Sequence, residues 1–302
     1  MSDYRQTRAI LKDFKLAPQK RFGQNFLVNK QTAEAIVRAG NITKQDCVLE
    51  VGVGLGALTR PLADAARQVL GFEIDNGIIR LLEKQGDLPE NVTLIHQDIL
   101  TADFQKLRQR CGSGLIIIAN LPYSISNPFI FKLIDNAHLI KKATIMVQKE
   151  VADRLMADSG TKEYGIPTVL LGSCATVEKL MTLKPGEFHP QPKIDSVVIS
   201  IDFSKTSRRA GDIADYDKHI FNRLVRVAFC QRRKTLLNTL SSGSFFVDNS
   251  FPDKAGNKKQ TRLAIESAAI DPSTRAECLD VSDFISLANR FRSLTDPFCW
   301  KK

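Results

Sequence analysis

Residues 47–58 read Cys47-Val-Leu-Glu-Val-Gly-Val-Gly-Leu-Gly-Ala-Leu58, and the rest of the chain is organised around them. Cys47 to Val51 is a short, mostly apolar run with two valines, as expected of a strand buried on both faces. Gly52, Gly54 and Gly56 follow at once, and a helical pattern begins after them. Glycines here let the backbone turn sharply and let a ligand approach the main chain without meeting a Cβ. The helix that follows points its positive N-terminal end at the same spot. Strand, loop and helix together predict a nucleotide-type pocket, with the nucleotide left open.

Two readings of the loop compete. Gly52-x-Gly54-x-x-Ala57 satisfies the dinucleotide fingerprint, which accepts Ala at its third position. Glu50-x-Gly52-x-Gly54-x-Gly56 also satisfies the loop of S-adenosylmethionine (SAM) methyltransferases. Downstream, helical and strand patterns alternate. Helices are expected at about Leu58–Ala66, Ile78–Lys84, Pro128–Ile134 and Glu150–Met156. Strands are expected at Val69–Ile74, Val92–His96, Leu115–Ala119 and Ala143–Val147. This alternation predicts an α/β fold with a mostly parallel, doubly wound sheet, which binds ligands beyond the C-terminal ends of its strands. Glu50, Glu73, Asp98 and Asn120 all fall at or next to those ends.

Upstream, residues 1–18 are polar and basic and read as a loose arm. Lys20 to Leu27 reads as an ordered loop that covers something, and a helix is expected at Lys30–Ala39. Pro167–Val177 and Val197–Phe203 read as two strands with no helix between them, which predicts an antiparallel edge to the sheet. Past Thr206 the pattern is charged and helical, and a basic helix is expected to carry Arg223, Arg226, Arg232, Arg233 and Lys234. The expected domains are 1–208, with residues 1–29 as arm and covering loop, and a smaller all-helical domain at 209–302.

The chain has 302 residues, enough for a sizeable core and two domains. Lys and Arg number 43 against 33 Asp and Glu, a formal charge of +10, and a protein this basic often meets a polyanion. The six cysteines are scattered without a C-x-x-C pair and read as reduced core residues of a cytoplasmic protein. Four dispersed histidines do not suggest a metal site. The N-terminus lacks a signal peptide's apolar core, and no run approaches the ~18 apolar residues that would span a membrane.

Glu73 lies about 20 residues past the glycine loop, where a carboxylate accepts hydrogen bonds from both ribose hydroxyls of a nucleotide. Asp98 is placed to accept from the adenine amino group. Asn120-Leu121-Pro122-Tyr123 decides between the two loop readings. A nicotinamide enzyme has no use for it at a strand end, whereas an enzyme that methylates an exocyclic amine does. The lone pair of adenine N6 is delocalised into the ring. Two acceptors, the Asn120 side-chain oxygen and the Leu121 carbonyl, can hold its hydrogens and favour a pyramidal nitrogen. Pro122 fixes φ and helps aim that carbonyl, and Tyr123 offers a ring to stack on a base flipped out of its helix. Catalysis would then be mainly positioning.

With these residues in hand, the chain resembles the KsgA family of ribosomal RNA adenine N6-dimethyltransferases along nearly its whole length. The resemblance rests on five stretches: Gly23-Gln-Asn-Phe-Leu27, the glycine loop, Asn120-Leu-Pro-Tyr123, Phe188-His-Pro-Gln-Pro-Lys-Ile-Asp-Ser196, and Phe229-x-Gln231-Arg-Arg-Lys-Thr235 with Arg275-Ala-Glu277. Val53 departs from the family's usual Pro. The resemblance implies a Rossmann-like SAM methyltransferase domain with SAM as cofactor. It implies SAM contacts from Asn25 and Leu27, joined by Gly52, Glu73, Asp98 and Asn120, and a Phe188 that stacks on the target base beside Tyr123. It implies methylation, twice each, of two adjacent adenosines in the 3′-terminal hairpin loop of small-subunit rRNA, and a role in late assembly of the immature small subunit. Arg232, Arg233 and Lys234 suit phosphate contacts, and a monomer is expected. The competing readings are an Erm-type methyltransferase of large-subunit rRNA, a non-catalytic assembly or transcription factor on the same fold, and a nicotinamide oxidoreductase.

Overall fold

The structure, a computed structural model, describes residues 23–204, 216–242 and 254–294. It starts with a two-residue strand, Phe26–Leu27 (β1), and a helix, Lys30–Ala39 (α1), whose Asn29 cap accepts from the Gln31 and Thr32 amides. Strands Cys47–Val51 (β2), Gln68–Glu73 (β3) and Val92–His96 (β4) then alternate with helices Thr59–Ala65 (α2) and Asn76–Gln85 (α3). Next come helix Phe104–Cys111 (α4), strand Leu115–Asn120 (β5), helix Ser126–Asp135 (α5), strand Ile140–Gln148 (β6) and helix Lys149–Met156 (α6). Helix Ile166–Gly172 (α7) precedes strands Thr176–Leu183 (β7), Phe188–His189 (β8) and Ser196–Asp202 (β9).

Seven strands form one sheet in the order β4-β3-β2-β5-β6-β9-β7, parallel from β4 to β6 and antiparallel where β9 meets β6 and β7. The expected antiparallel edge is therefore present. The chain runs outward from β2 to β4 and then returns to lay β5 on the other side of β2. Strand order reverses between β2 and β5, and an open α/β sheet binds its ligand at the strand ends beside such a reversal. Val51 pairs with Phe72 on one side and Ala119 on the other, so the ends of the three strands lie level. Every residue of β2 is buried, which explains why the run lacks alternation. A second, two-stranded sheet pairs β1 with β8, Leu27 opposite Phe188.

Three expectations need correction. Residues 166–172 form a helix and not a strand. Pro167 stands in its first turn, where a missing N–H costs nothing, and Val169, Leu170 and Leu171 are all buried. Helix α4 was not anticipated. The cysteines are not all reduced, because Cys47 at the start of β2 forms a disulfide with Cys111 at the end of α4. Cys174, Cys230 and Cys278 are free, and Cys299 lies outside the described residues.

The chain divides into two compact units, residues 1–152 with 176–205, and residues 153–175 with 206–302. The expected boundary had placed 153–175 with the sheet. The second unit contains α7 and helices Lys218–Ala228 (α8), Leu236–Ser242 (α9), Lys254–Ser267 (α10) and Val281–Leu294 (α11). Its core is built on Phe221, Leu224, Leu240, Phe284 and Phe291. Tyr164 is buried there and donates to the Leu279 carbonyl at 2.9 Å. Among the described residues no helix is long and apolar enough to cross a membrane.

Candidate active site

The glycine loop leaves β2 with Gly52 at φ +78° and Gly54 at φ +54°, backbone that L-residues rarely adopt. A Cβ on Gly52 would stand 3.2 Å from the Asn120 carbonyl oxygen, so this glycine brings the loop up against the end of β5. The loop is laced to β3 through the main chain. The Gly52 and Val53 amides both donate to the Phe72 carbonyl, at 2.9 and 3.3 Å. The Val53 side chain is buried with Phe26, Ile78, Leu81 and Leu82.

Glu73 completes the lacing. Its Oε2 accepts from the Gly54 amide at 3.0 Å, and its Oε1 accepts from the Ile74 and Asp75 amides at 2.8 and 2.9 Å. Burial pushes this carboxyl up, and the three N–H groups oppose the shift. A carboxylate offers about four lone-pair positions, of which three are taken here. Glu73 therefore has room for one further hydrogen bond, on Oε2. That narrows the expectation of contacts to both ribose hydroxyls.

Glu50 is fully buried, with Oε1 accepting from the Thr59 hydroxyl at 3.0 Å and Oε2 unpartnered among the described residues. Burial, opposed by the Thr59 bond and reinforced by the nearby Glu73 charge, pushes it up to about 8. The loop thus has a neutral acid beneath it. Asp98 caps the short turn after β4, with Oδ1 accepting from the Leu100 amide at 2.8 Å.

At the end of β5 the Asn120 Nδ2 donates to the Asn25 carbonyl at 3.1 Å. This bond sets the orientation of the amide and leaves Oδ1 uncommitted among the described residues. Tyr123 opens a short 3₁₀ turn after Pro122, and its hydroxyl shares a 2.8 Å hydrogen bond with Ser196. The loop over the site is tied down as well, because Gln24 Nε2 donates to Asp75 Oδ2 at 2.9 Å. Asp75 in turn caps α3 through the Gly77 amide.

One open cleft is lined by Asn25, Leu27, Gly52, Glu73, Asp98, Asn120, Leu121 and Tyr123. The structure therefore brings together every expected residue of the cofactor and catalytic groups. Phe188 is not among them. It is buried, pairs through β8 with β1, and packs in the sheet core with Leu27, Ile36 and Val198, so its ring has no free face for a base. The basic run also differs from expectation. Helix α8 ends at Ala228, so Arg232 to Lys234 lie in the turn that follows. Arg232 donates to the Lys162 and Tyr164 carbonyls at 2.9 and 3.1 Å and pairs with Glu277 at 3.2 Å, which makes it a brace of the helical unit. Arg233 and Lys234 are exposed. Sequence reasoning assigned no role to Gln24 or Ser196, although both stand in stretches it had singled out.

Residues 16–291 match the family described as ribosomal RNA adenine dimethylase. The chain belongs to that family. A relative from Desulfotalea psychrophila, named ribosomal RNA small subunit methyltransferase A, is 58% identical over 291 residues, 96% of this chain and 97% of its own. Among solved structures, a dimethyladenosine transferase from Plasmodium falciparum superposes with a TM-score of 0.73 at 28% identity, covering 89% of this chain and 98% of that one. The 23S rRNA methyltransferase ErmE superposes with a TM-score of 0.60 at 22% identity, over 89% of this chain and all of its own, and shares the fold.

This family uses SAM as methyl donor, and the cleft fits it. The glycine loop presents backbone without Cβ atoms, Glu73 keeps one acceptor position for a hydroxyl, and the orphaned Glu50 Oε2 awaits a polar partner. Asp98 lines the same cleft, with Oδ1 taken by the Leu100 amide.

Proposed function

We propose that the protein dimethylates N6 of two adjacent adenosines in the 3′-terminal hairpin loop of small-subunit rRNA, using an immature small subunit as substrate. The observation that carries this reading is the pair of acceptors at the end of β5. Asn120 and Leu121 line the same cleft as the glycine loop, and Asn120 Nδ2 is engaged by the Asn25 carbonyl. The name of the Desulfotalea psychrophila relative supports the choice of small-subunit RNA.

SAM supplies an electrophilic methyl group on its sulfonium. The chain's own residues do the positioning. Asn120 Oδ1 and the Leu121 carbonyl accept the two N6 hydrogens, which draws the nitrogen toward a pyramidal geometry and frees its lone pair. After the first transfer one N–H remains, and one acceptor still holds it. Tyr123 walls the base. The N–CH3 bond forms as the S–CH3 bond breaks, which would leave the donor as a neutral thioether, and the alkylated nitrogen, now cationic and strongly acidic, gives its proton to water without a strong base. Glu73 and Asp98 hold the cofactor's ribose and adenine. Arg233 and Lys234 of the helical unit contact phosphates.

The test is to incubate the protein with SAM and unmethylated small subunits and map the methylated adenines. Two adjacent dimethyladenosines near the 3′ end are expected. Methylation of large-subunit RNA alone would overturn the reading.

A further inference from the structure

Tyr123 is the only aromatic residue of the Asn120–Tyr123 stretch, and it opens the short turn Tyr123–Ile125 with its side chain half-buried. A tyrosine side chain has two free torsions, and the second is broad. The first decides where the ring projects, and a ring that forms one wall of a base slot must have that direction fixed. Here the fixing atom lies 73 residues away in sequence. The Tyr123 hydroxyl meets Ser196 Oγ at 2.8 Å. Ser196 is fully buried and is the first residue of β9, flanked by Gln148 of β6 and Leu183 of β7. The residue before it is held as well: the Lys149 amide donates to the Asp195 carbonyl at 3.0 Å, and Lys184 Nζ donates to Asp195 Oδ2 at 2.7 Å. Ser196 is therefore a fixed point, built into the antiparallel part of the sheet.

We propose that Ser196 is a positioning residue for methyl transfer, which anchors the far end of the Tyr123 ring and thereby sets where that ring projects as the wall against which the target adenine rests. The proposal rests on the functional reading above. It has a chemical corollary. The Tyr123 oxygen is committed to Ser196, and burial pushes its phenol up, so it stays protonated and does not take the N6 proton. Tyr123 contributes a surface and not a base.

The test compares Ser196→Ala, Tyr123→Phe and the double variant in the full chain, with SAM and unmethylated small subunits. Each single change removes the same bond, so each should lower kcat about tenfold, the loss of one well-placed hydrogen bond. The double variant should lose no more than either single one. KM for the subunit and SAM affinity by calorimetry should hold, because neither the phosphate contacts nor the glycine loop has been touched. A purely structural bond predicts lower melting temperatures with unchanged kcat below the transition, and that result would overturn the proposal. So would a Tyr123→Phe loss far larger than that of Ser196→Ala with a changed alkaline limb of the pH profile, which would make the hydroxyl a base. Tyr123→Phe removes one oxygen from a half-buried ring, and it carries the test if Ser196→Ala does not fold. Failure of the parent protein to methylate small subunits would instead remove the functional reading itself.

Discussion

On the glycine-loop side of the cleft, the contacts that hold the wall in place are main-chain amides. Gly52, Val53, Gly54, Ile74 and Asp75 donate either to the Phe72 carbonyl or to Glu73. On the opposite side, at the end of β5, the restraints are single side-chain bonds that reach across the sequence, Asn120 to the Asn25 carbonyl and Tyr123 to Ser196. The first wall is made by the same bonds that make the fold. The second is attached to a fold already complete. Changes in the first should therefore cost stability and cofactor binding together. Changes in the second should cost chemistry and leave the fold alone.

Asn120→Ala tests the second half of that contrast and carries the largest effect on turnover. Loss of a preorganised polar group at a reacting centre costs roughly 10²–10³ in kcat. The Asn25 carbonyl it releases is part of a half-buried loop, so the melting temperature should barely move. Single-turnover methyl transfer beside a melting curve reads both. Near-normal turnover would remove Asn120 from the reaction, and a large fall in melting temperature would show that the two walls are not built differently.

Glu73→Ala tests the first half. It leaves three backbone N–H groups without their acceptor and removes a charge-assisted partner of the cofactor. Calorimetric titration should show SAM binding weakened by roughly 1.5–3 kcal/mol, about ten- to a hundredfold. The melting temperature should fall as well, because the orphaned Gly54 and Asp75 amides are structural. Turnover at saturating cofactor should change less than in Asn120→Ala. A variant that melts like the parent would mean that the lacing through Glu73 is incidental.

The same contrast explains what could be read from the sequence. The backbone-built wall was legible because its requirements are local. A buried strand needs a continuous apolar run, a tight turn needs glycine, and Glu73 stands at a strand end at a fixed interval from the loop. The end of β5 was legible in residue type, since Asn120-Leu-Pro-Tyr123 has few structural reasons to exist. Its supports were not, because Ser196 and the Asn25 carbonyl are brought to it by the pairing of β9 and by the covering loop. Phe188 was misplaced for the same reason. Whether an aromatic in a proline-rich loop faces a cleft or the core depends on the β1–β8 pairing, which leaves no mark in a single sequence. Residues 166–172 failed on periodicity: a short run buried all round looks alike as strand or helix. Helix α4 had its signals, Asp103 as N-cap and Gly112 at positive φ after its end, but its charged middle hid them.

The smallest effect on turnover, and the sharpest test of the first wall, belongs to Glu50→Gln. Glu50 sits beneath the glycine loop with its pKa raised from 4.5 to about 8, chiefly by burial. In the unfolded chain it titrates near 4.5. Between these two values the folded protein holds a proton that the unfolded chain has released, so stability falls as pH rises through that window and is level on either side of it. Gln is a neutral neighbour in shape that can keep the Thr59 contact through its oxygen, and it carries no such dependence. Its amide nitrogen lies where Oε2 is orphaned, which adds a cost that does not vary with pH. The absolute order of the two proteins is thus not the test; the slope is. Melting curves taken without cofactor should show the variant gaining on the parent steadily from about pH 5 to about pH 8, with no further change above. Parallel pH profiles would mean that Glu50 is ionised in the folded state. The wall beneath the loop would then hold two buried negative charges, Glu50 and Glu73, and the main-chain lacing would have to outweigh their repulsion.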